Sequence, residues 1–183
     1  MKIVYTGVAK NGQKIVIRYP QSSDLMSAWR YINKLSAEKT YILFQGEKIS
    51  KKSEEAWLNN LLKNIRSKRA VALFVFVDDQ LSGIANLVIK NHNTVQSHVG
   101  ELGISLSSNI RGQGIGKLLM NLVISEAKKN LKNLKTIFLG CFSSNKIAQH
   151  LYQSLGFVEY GRLPQGLFYK DQFIDEILMY KTV

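Results

Sequence analysis

The sequence is poor in the residues that cross-link a chain or break its regular structure, with one cysteine and two prolines among 183 residues. The single cysteine, Cys141, excludes an internal disulfide and favours a reducing compartment. No apolar run approaches the roughly 20 residues of a membrane span, and residues 1–6 lack the apolar core of a signal peptide. We therefore expect a cytoplasmic protein with no membrane-spanning segment.

Metal ligands and acidic residues are also scarce. The three histidines and the single cysteine show no metal-ligand spacing, so no metal site is expected. The 25 Lys and Arg residues outnumber the 13 Asp and Glu residues, and the resulting net charge of +12 favours anionic ligands. The basic residues are scattered, without the aromatic-interleaved strip of RNA-binding proteins, so nucleic-acid binding is disfavoured. Solvated helix faces and the attraction of a phosphate ligand explain the charge as well.

The chain has the size and apolar content of one globular domain, which we expect over residues 1–183. Hydrophobic residues make up 45% of it, and no repeat or linker interrupts the pattern. The first two predicted strands flank Asn11-Gly12, a favoured hairpin dipeptide. The second predicted helix opens at Ser53, with Trp57 and Leu61 on its inner face. Strands are predicted at 3–5, 15–17, 70–77, 81–90, 95–106, 136–142 and twice more before the C-terminus, and helices from 23, from 53, over 114–130 and over 145–155.

The most informative segment is the glycine-rich run from Arg111 to Lys117, Arg-Gly-Gln-Gly-Ile-Gly-Lys. An apolar stripe at helical spacing follows it, so its three glycines stand at a helix start. The first N–H groups of a helix have no intrahelical partner, and the helix dipole favours anions there. Glycines let a bulky phosphate approach these groups. The segment predicts a phosphate-binding loop; the alternative is an ordinary glycine-rich turn before a helix.

The spacing of this loop excludes the two commonest phosphate motifs. A P-loop needs four residues between its glycines, whereas Gly112 and Gly116 enclose three. Leu118 also replaces the hydroxyl residue that would hold magnesium, which disfavours a nucleotide kinase. A dinucleotide fingerprint needs Gly-x-Gly-x-x-Gly early in the chain, and here the pattern is Gly-x-Gly-x-Gly past the middle.

Two blocks of the sequence instead resemble the GNAT N-acetyltransferases. The first is Arg-x-x-Gly-x-Gly, formed by Arg111, Gly114 and Gly116 after a strand-like run, and it is similar to the coenzyme A loop of that family. The second is Asn145 with Ala-x-x-Leu-Tyr-x-x-x-Gly-Phe over 148–157, similar to the element after the family's fifth strand. Both blocks stand in the family's order and at its usual distance. The likeness extends from about residue 70 to about residue 180.

The resemblance implies an α/β (α+β) fold with a mixed, mostly antiparallel sheet of about seven strands and helices on both faces. The fourth and fifth strands, here 95–106 and 136–142, are expected to splay apart at one end and admit the pantetheine arm of acetyl-CoA. That arm is then expected along Ile104, Ser105 and Leu106. The residues expected to hold the rest of coenzyme A are Arg111, Gly112, Gln113, Gly114, Ile115, Gly116, Lys117, Asn145 and Tyr152.

Acetyl transfer to an amine needs a proton acceptor for the amine and a proton donor for the leaving thiolate. The resemblance implies that Tyr152 is the general acid; the alternative is a core aromatic. Glu101 lies on the predicted fourth strand, where several members of the family carry a glutamate, and is the candidate base. Its alternatives are a solvent-facing strand residue and an anchor for substrate charge. Asn145 is a coenzyme A contact or a helix N-cap, and Cys141 is expected to be a buried, unreactive side chain.

The resemblance thus implies an enzyme that transfers the acetyl group of acetyl-CoA by direct attack of a primary amine of a small molecule, amino acid or peptide. The alternative is a non-catalytic acyl-CoA-binding regulatory module, against which the presence of both Tyr152 and Glu101 speaks. The acceptor site is expected to be shaped by residues 23–66 and 163–170, but the sequence does not identify the acceptor. Members of the family often dimerise, and a homodimer stays open here.

Overall fold

The computed structural model of the protein describes residues 2–9, 12–90 and 94–183. Asn11, part of the predicted hairpin dipeptide, lies outside the described residues. The chain divides into two compact units, of which the first comprises Met1–Val88 with Gly103–Leu131 and the second Ile89–Leu102 with Lys132–Val183. The strand over Val99–Leu106 therefore contributes residues to both units.

Eight strands and four α-helices follow one another along the described part of the chain. The strands are β1 (Ile3–Val8), β2 (Lys14–Arg18), β3 (Ala70–Val77), β4 (Gln80–Ile89), β5 (Val99–Leu106), β6 (Thr136–Phe142), β7 (Val158–Tyr169) and β8 (Gln172–Thr182). The helices are α1 (Leu25–Ala37), α2 (Lys51–Arg66), α3 (Ile115–Asn130) and α4 (Lys146–Ser154). None of the helices within the described ranges is long and apolar enough to span a membrane.

The strands pair mostly antiparallel, which confirms the predicted α/β fold class. The eight strands correspond to the eight segments predicted from the sequence pattern, where the resemblance implied about seven. The strands that the resemblance numbers fourth and fifth are accordingly β5 and β6. The bounds predicted for β3 and β6 agree with the structure to the residue.

In the first unit β1, β2, β3 and β4 form an antiparallel run in which each strand pairs with the next. All eight residues of β3 are buried. Phe74 and Phe76 pack in one cluster with Leu35 of α1 and Leu58 of α2. Alternate residues of a strand point to opposite faces; Leu73, on the other face, is equally buried, and α3 also contacts this strand. Helices therefore cover both faces of the sheet here, as predicted.

Helix α2 begins earlier than predicted, because Ser50 caps it and accepts a hydrogen bond from the Ser53 N–H at 3.1 Å. Of the two residues predicted on the inner face, Leu61 is buried, whereas Trp57 is 37% exposed. The Trp57 ring stacks on that of Phe74 with the ring centroids 6.5 Å apart. The residues of this helix that are buried are Glu54, Leu58 and Leu61, at positions i, i+4 and i+7 of one stripe. A carboxylate therefore stands in the apolar face of the helix.

In the second unit β8 lies between β6 and β7 and pairs antiparallel with both. Strand β6 also pairs in parallel with the start of β5, from Val99–Thr136 to Glu101–Phe138. Within the described residues no further pair joins β5 to β6. Their backbone pairing therefore ends after three residue pairs, as the resemblance implied for strands that splay.

Candidate functional site

The glycine-rich run forms a turn whose backbone only glycine adopts without strain. A short 3₁₀ turn over Ser108–Ile110 leads into it, and Gly112 and Gly114 have φ angles of +73° and +83°. A Cβ at either glycine would meet no atom within 4 Å, so the space around them is open. Glycine is required here by the left-handed backbone and leaves the turn uncovered.

Helix α3 starts at Ile115 directly after this turn, and Gly114 is its N-cap. The first helical N–H with a backbone acceptor is that of Leu118, which donates to the Gly114 carbonyl at 3.2 Å. In the described part of the chain, none of the six N–H groups from residue 112 to residue 117 has an acceptor. A row of free N–H groups at a helix start is an anion-binding surface. The turn thus offers the free N–H groups that a phosphate-binding loop would need.

The side chain of Gln113 stabilises this turn. Its Nε2 donates to the Asn109 carbonyl at 2.9 Å, which ties the turn to the preceding 3₁₀ segment. Its Oε1 is buried and has no partner among the described residues. An unpaired buried acceptor is costly, so this amide oxygen is available to a donor on a ligand at the turn.

Arg111 is engaged by two neighbours. Its guanidinium forms an ion pair with Glu38, with Nη2 2.6 Å from Oε2, and its Nε donates to the Leu106 carbonyl at 2.9 Å. Glu38 also accepts from the Ser108 hydroxyl at 3.3 Å. The Arg111 side chain is 40% exposed, so a phosphate on the turn can reach it. The pair links the end of α1 to the glycine-rich turn.

The end of β5 is drawn close to β4. The Ser107 N–H donates to the Ser82 carbonyl at 2.8 Å. A Cβ at Gly83 would come within 2.6 Å of Leu106, so glycine permits this close approach. Tyr31 of α1 then reaches Ser105, with the two hydroxyl oxygens 2.9 Å apart. Ile104, Ser105 and Leu106, the predicted pantetheine edge, are thus held by β4 and α1.

Beside this edge the first unit contains a cavity of about 300 Å³, near the lower limit of the range for ligand pockets. Its lining comes from α1, the 41–50 loop, α2, β4 and β5. Most of the lining surface is apolar. Glu54 is the charged residue among the described lining residues, which are Tyr31, Ile32, Phe44, Ile49, Ser53, Glu54, Trp57, Ile84, Asn86, Gly103, Ile104 and Ser105.

Glu54 is 6% exposed, and in the described residues its carboxylate has neither a hydrogen-bond partner nor an ion pair. Burial raises its carboxyl pKa from the ordinary 4.5 to about 7. Sequence reasoning missed this residue, because glutamates at a helix start are usually solvated. The available signal was its helical spacing to Leu58 and Leu61, which places it on the apolar stripe.

In the second unit Tyr152 of α4 is buried, 7% exposed, and its ring lies 6.1 Å from that of Phe157. Burial, followed by the nearby thiol of Cys141, raises the tyrosine pKa far above its ordinary value, so the phenol keeps its proton at neutral pH. No hydrogen bond to its hydroxyl is found in the described ranges. The structure is compatible with both the donor and the core-aromatic interpretations of Tyr152.

The other predicted residues of the second unit differ in burial. Asn145 is the N-cap of α4 and accepts from the Ala148 N–H at 3.2 Å, which confirms its capping role. Glu101 is exposed on β5. Cys141 is buried, as expected, and burial raises its thiol pKa to about 11, which disfavours a reactive thiolate. Across the described part of the chain, no group of three or more His, Cys, Asp or Glu residues could hold a metal ion.

Sequence comparisons lead to acetyltransferases. Residues 29–157 match the Acetyltransferase (GNAT) family. Spermidine N(1)-acetyltransferase of Vibrio cholerae is 26% identical over 169 residues, which cover 91% of this chain and 92% of that protein. L-amino acid N-acyltransferase MnaT of Escherichia coli is 34% identical over 68 residues, which cover 37% of this chain and only 38% of that relative.

Structural comparisons agree. An acetyltransferase of the GNAT family from Streptococcus pneumoniae has a TM-score of 0.84 and 27% identity, covering 92% of this chain and 99% of that one. The microcin C7 self-immunity acetyltransferase MccE, solved in complex with acetyl-CoA and AMP, has a TM-score of 0.74 and 18% identity over 92% of each chain. The second likeness concerns the fold alone.

Proposed function

Because the chain belongs to the GNAT acetyltransferase family and is an acetyl-CoA-dependent N-acetyltransferase, we propose that it acetylates a primary amine by direct attack in a ternary complex. The acceptor is an amine of a small molecule, an amino acid or a peptide. The relatives act on spermidine and on L-amino acids by their names, which keeps both as candidate acceptors. The observation that carries the proposal is the row of six free N–H groups from residue 112 to residue 117.

The coenzyme is bound mainly through backbone groups. The N–H groups of the 112–117 turn receive the pyrophosphate, and the open space over Gly112 and Gly114 supports this. Lys117, exposed in the first turn of α3, adds positive charge. The pantetheine arm lies along Ile104–Leu106, at the end of β5 beyond its pairing with β6. Arg111 turns from Glu38 toward the phosphates when they arrive.

Removing a proton from the amine is the first chemical requirement. Deprotonating a lysine-like amine with a pKa of about 10.4 costs roughly 4.6 kcal/mol of free energy at pH 7. Deprotonating a peptide α-amine costs only roughly 1 kcal/mol. Glu101 takes this proton, directly or through a water molecule, in the proposed mechanism. Its exposure on β5 supports proton release to solvent.

The neutral amine then attacks the thioester carbonyl, so that a C–N bond forms and the C–S bond breaks. Tyr152 gives its phenolic proton to the leaving thiolate and recovers a proton from the nitrogen of the product. The Tyr152 side chain is largely buried, its hydroxyl has no hydrogen-bond partner among the described residues, and its pKa is raised; these features support the role of a proton donor.

The test is release of coenzyme A thiol from acetyl-CoA in the presence of a panel of primary amines, using wild type and Tyr152→Phe. We expect wild type to release thiol only with an amine present. Tyr152→Phe should lower kcat by about 100-fold or more while the Kd of acetyl-CoA stays unchanged. A protein that binds acetyl-CoA but releases no thiol with any amine would instead be the regulatory module. Unchanged turnover in Tyr152→Phe would remove the phenol from the mechanism.

A further inference from the structure

We propose that Glu54 anchors the acceptor ammonium group, and that the acceptor is a small primary amine with an apolar body and no carboxylate beside the amine. The proposal rests on the acetyltransferase function and names the acceptor class of the same site. It is carried by the Glu54 side chain, which is 6% exposed and whose carboxylate has no partner among the described residues, in a cavity of about 300 Å³ whose other described lining residues are uncharged.

The first step is the state of the carboxylate. A buried charge is ordinarily paired or hydrogen-bonded, because burying it alone is costly. Glu54 has no such partner among the described residues, although it is 6% exposed. A cation entering the cavity would supply the missing partner. Perturbed, unpaired groups of this kind are typical of ligand sites.

The second step is the location of the cavity. Its lining includes Ile104 and Ser105, which also belong to the strand edge proposed for the pantetheine arm. A ligand that fills the cavity therefore contacts the strand segment along which the coenzyme is expected. Ser105 is fixed there by the hydroxyl of Tyr31, at 2.9 Å. The acceptor site and the coenzyme edge thus share residues within the first unit.

The third step is the chemistry of the lining. Apolar side chains such as Ile32, Ile84 and Trp57 suit a hydrocarbon or aromatic body. Apart from Glu54, the polar lining residues are uncharged. An α-carboxylate would meet a like charge at Glu54 and no cation in the described lining. A polyamine such as spermidine would bring three positive charges against one carboxylate, and its further charges would be left unpaired in apolar surroundings.

The experiment compares three amines that separate these chemistries: phenethylamine, phenylalanine and spermidine. Phenylalanine differs from phenethylamine only by the α-carboxylate. Acetylation is followed by thiol release, and binding to the protein saturated with coenzyme A is measured by calorimetry, which does not depend on turnover. We expect phenethylamine to bind and to be acetylated with a kcat/KM at least 10-fold above that of either other amine. Phenylalanine and spermidine would each leave at least one charge unpaired in the cavity, and one such charge accounts for a difference of this size.

The variants are Glu54→Gln and, as a matched control, Glu55→Gln on the exposed side of the same helix. Glu54→Gln should weaken phenethylamine binding by roughly 10- to 100-fold and leave the Kd of coenzyme A unchanged, because a charge-assisted hydrogen bond is lost. Glu55→Gln should behave as wild type.

Failure of the inference and failure of the proposed function give different results. Binding of phenethylamine that depends on Glu54, without thiol release, would keep Glu54 as an ammonium-binding residue but overturn this amine class as the acceptor. Turnover of phenylalanine or spermidine that equals or exceeds that of phenethylamine would overturn the inference and keep the function. Phenethylamine binding that is equal in Glu54→Gln and wild type would also overturn the inference.

Discussion

Replacement of Glu54 by Gln should make the protein more stable at alkaline pH and change little at acid pH. The folded state holds this carboxyl with a pKa of about 7, against the ordinary 4.5. Between these values the folded protein binds a proton that the unfolded chain has released, so wild type loses stability as the pH rises through this window. The glutamine variant has no group to titrate and avoids this loss. Tyr31, the other titratable lining residue, stays protonated because burial raises its pKa.

The size of the effect follows from the pKa difference. A rise from 4.5 to about 7 corresponds, at 1.36 kcal/mol per unit of pKa, to at most about 3 kcal/mol. Water that enters the cavity screens the carboxylate, so we expect about 1–3 kcal/mol. Urea unfolding at about pH 5 and pH 8 measures it in wild type, Glu54→Gln and the Glu55→Gln control. A stability difference between wild type and Glu54→Gln that is equal at both pH values would refute the reasoning.

Three further predictions, made with five substitutions, test the coenzyme and catalytic assignments. Gly114→Ala, at a φ of +83°, should lower the free energy of unfolding by about 1–2 kcal/mol, whereas the control Gly116→Ala, inside α3, should not lower it. Equal free energies of unfolding for the two variants would show that the turn tolerates a side chain at Gly114. Arg111→Ala should raise the Kd of coenzyme A about 10-fold. Glu38→Gln frees the Arg111 guanidinium from its ion pair and should leave this Kd unchanged or lower it. If calorimetry finds the same Kd in wild type and in both variants, Arg111 and Glu38 take no part in phosphate binding. Glu101→Gln should lower kcat about 100-fold, and full activity from about pH 6 to pH 9 would make Glu101 a surface residue of β5.

The elements whose conformation is set by residues adjacent in the sequence could be predicted from the sequence. Strand β3 is a continuous apolar run and was bounded to the residue. The glycine-rich turn and the start of α3 were predicted because the positive φ angles of Gly112 and Gly114 and the free N–H groups of a helix start are local properties of the chain. The start of α2 was misplaced by two residues, since Ser50 and Ser53 are both good caps and only the structure shows which one accepts the bond.

The contacts that the sequence did not reveal join residues far apart in the chain. Arg111 pairs with Glu38 across 73 positions, and Tyr31 meets Ser105 across 74. No spacing rule covers such separations, because they are set by how α1 packs on the sheet. The spacing of Glu54 to Leu58 and Leu61 places it on the apolar stripe, but the cavity that its carboxylate lines is formed by elements far apart in the chain and was not predicted.

Binding of the coenzyme and binding of the acceptor therefore depend on different features of the sequence. In the proposed mechanism the coenzyme is held by backbone N–H groups and a strand edge, which need glycines at fixed spacing and tolerate most other side chains. In our proposal the acceptor is selected by side chains of α1, α2, β4 and β5 around the cavity, where Glu54 is the charged residue among the described lining residues. Relatives at 26% identity can thus share the acetyl donor and differ in the amine. We infer the acceptor of this protein from the charge balance of its own cavity, where the one carboxylate among the described lining residues would match one ammonium group.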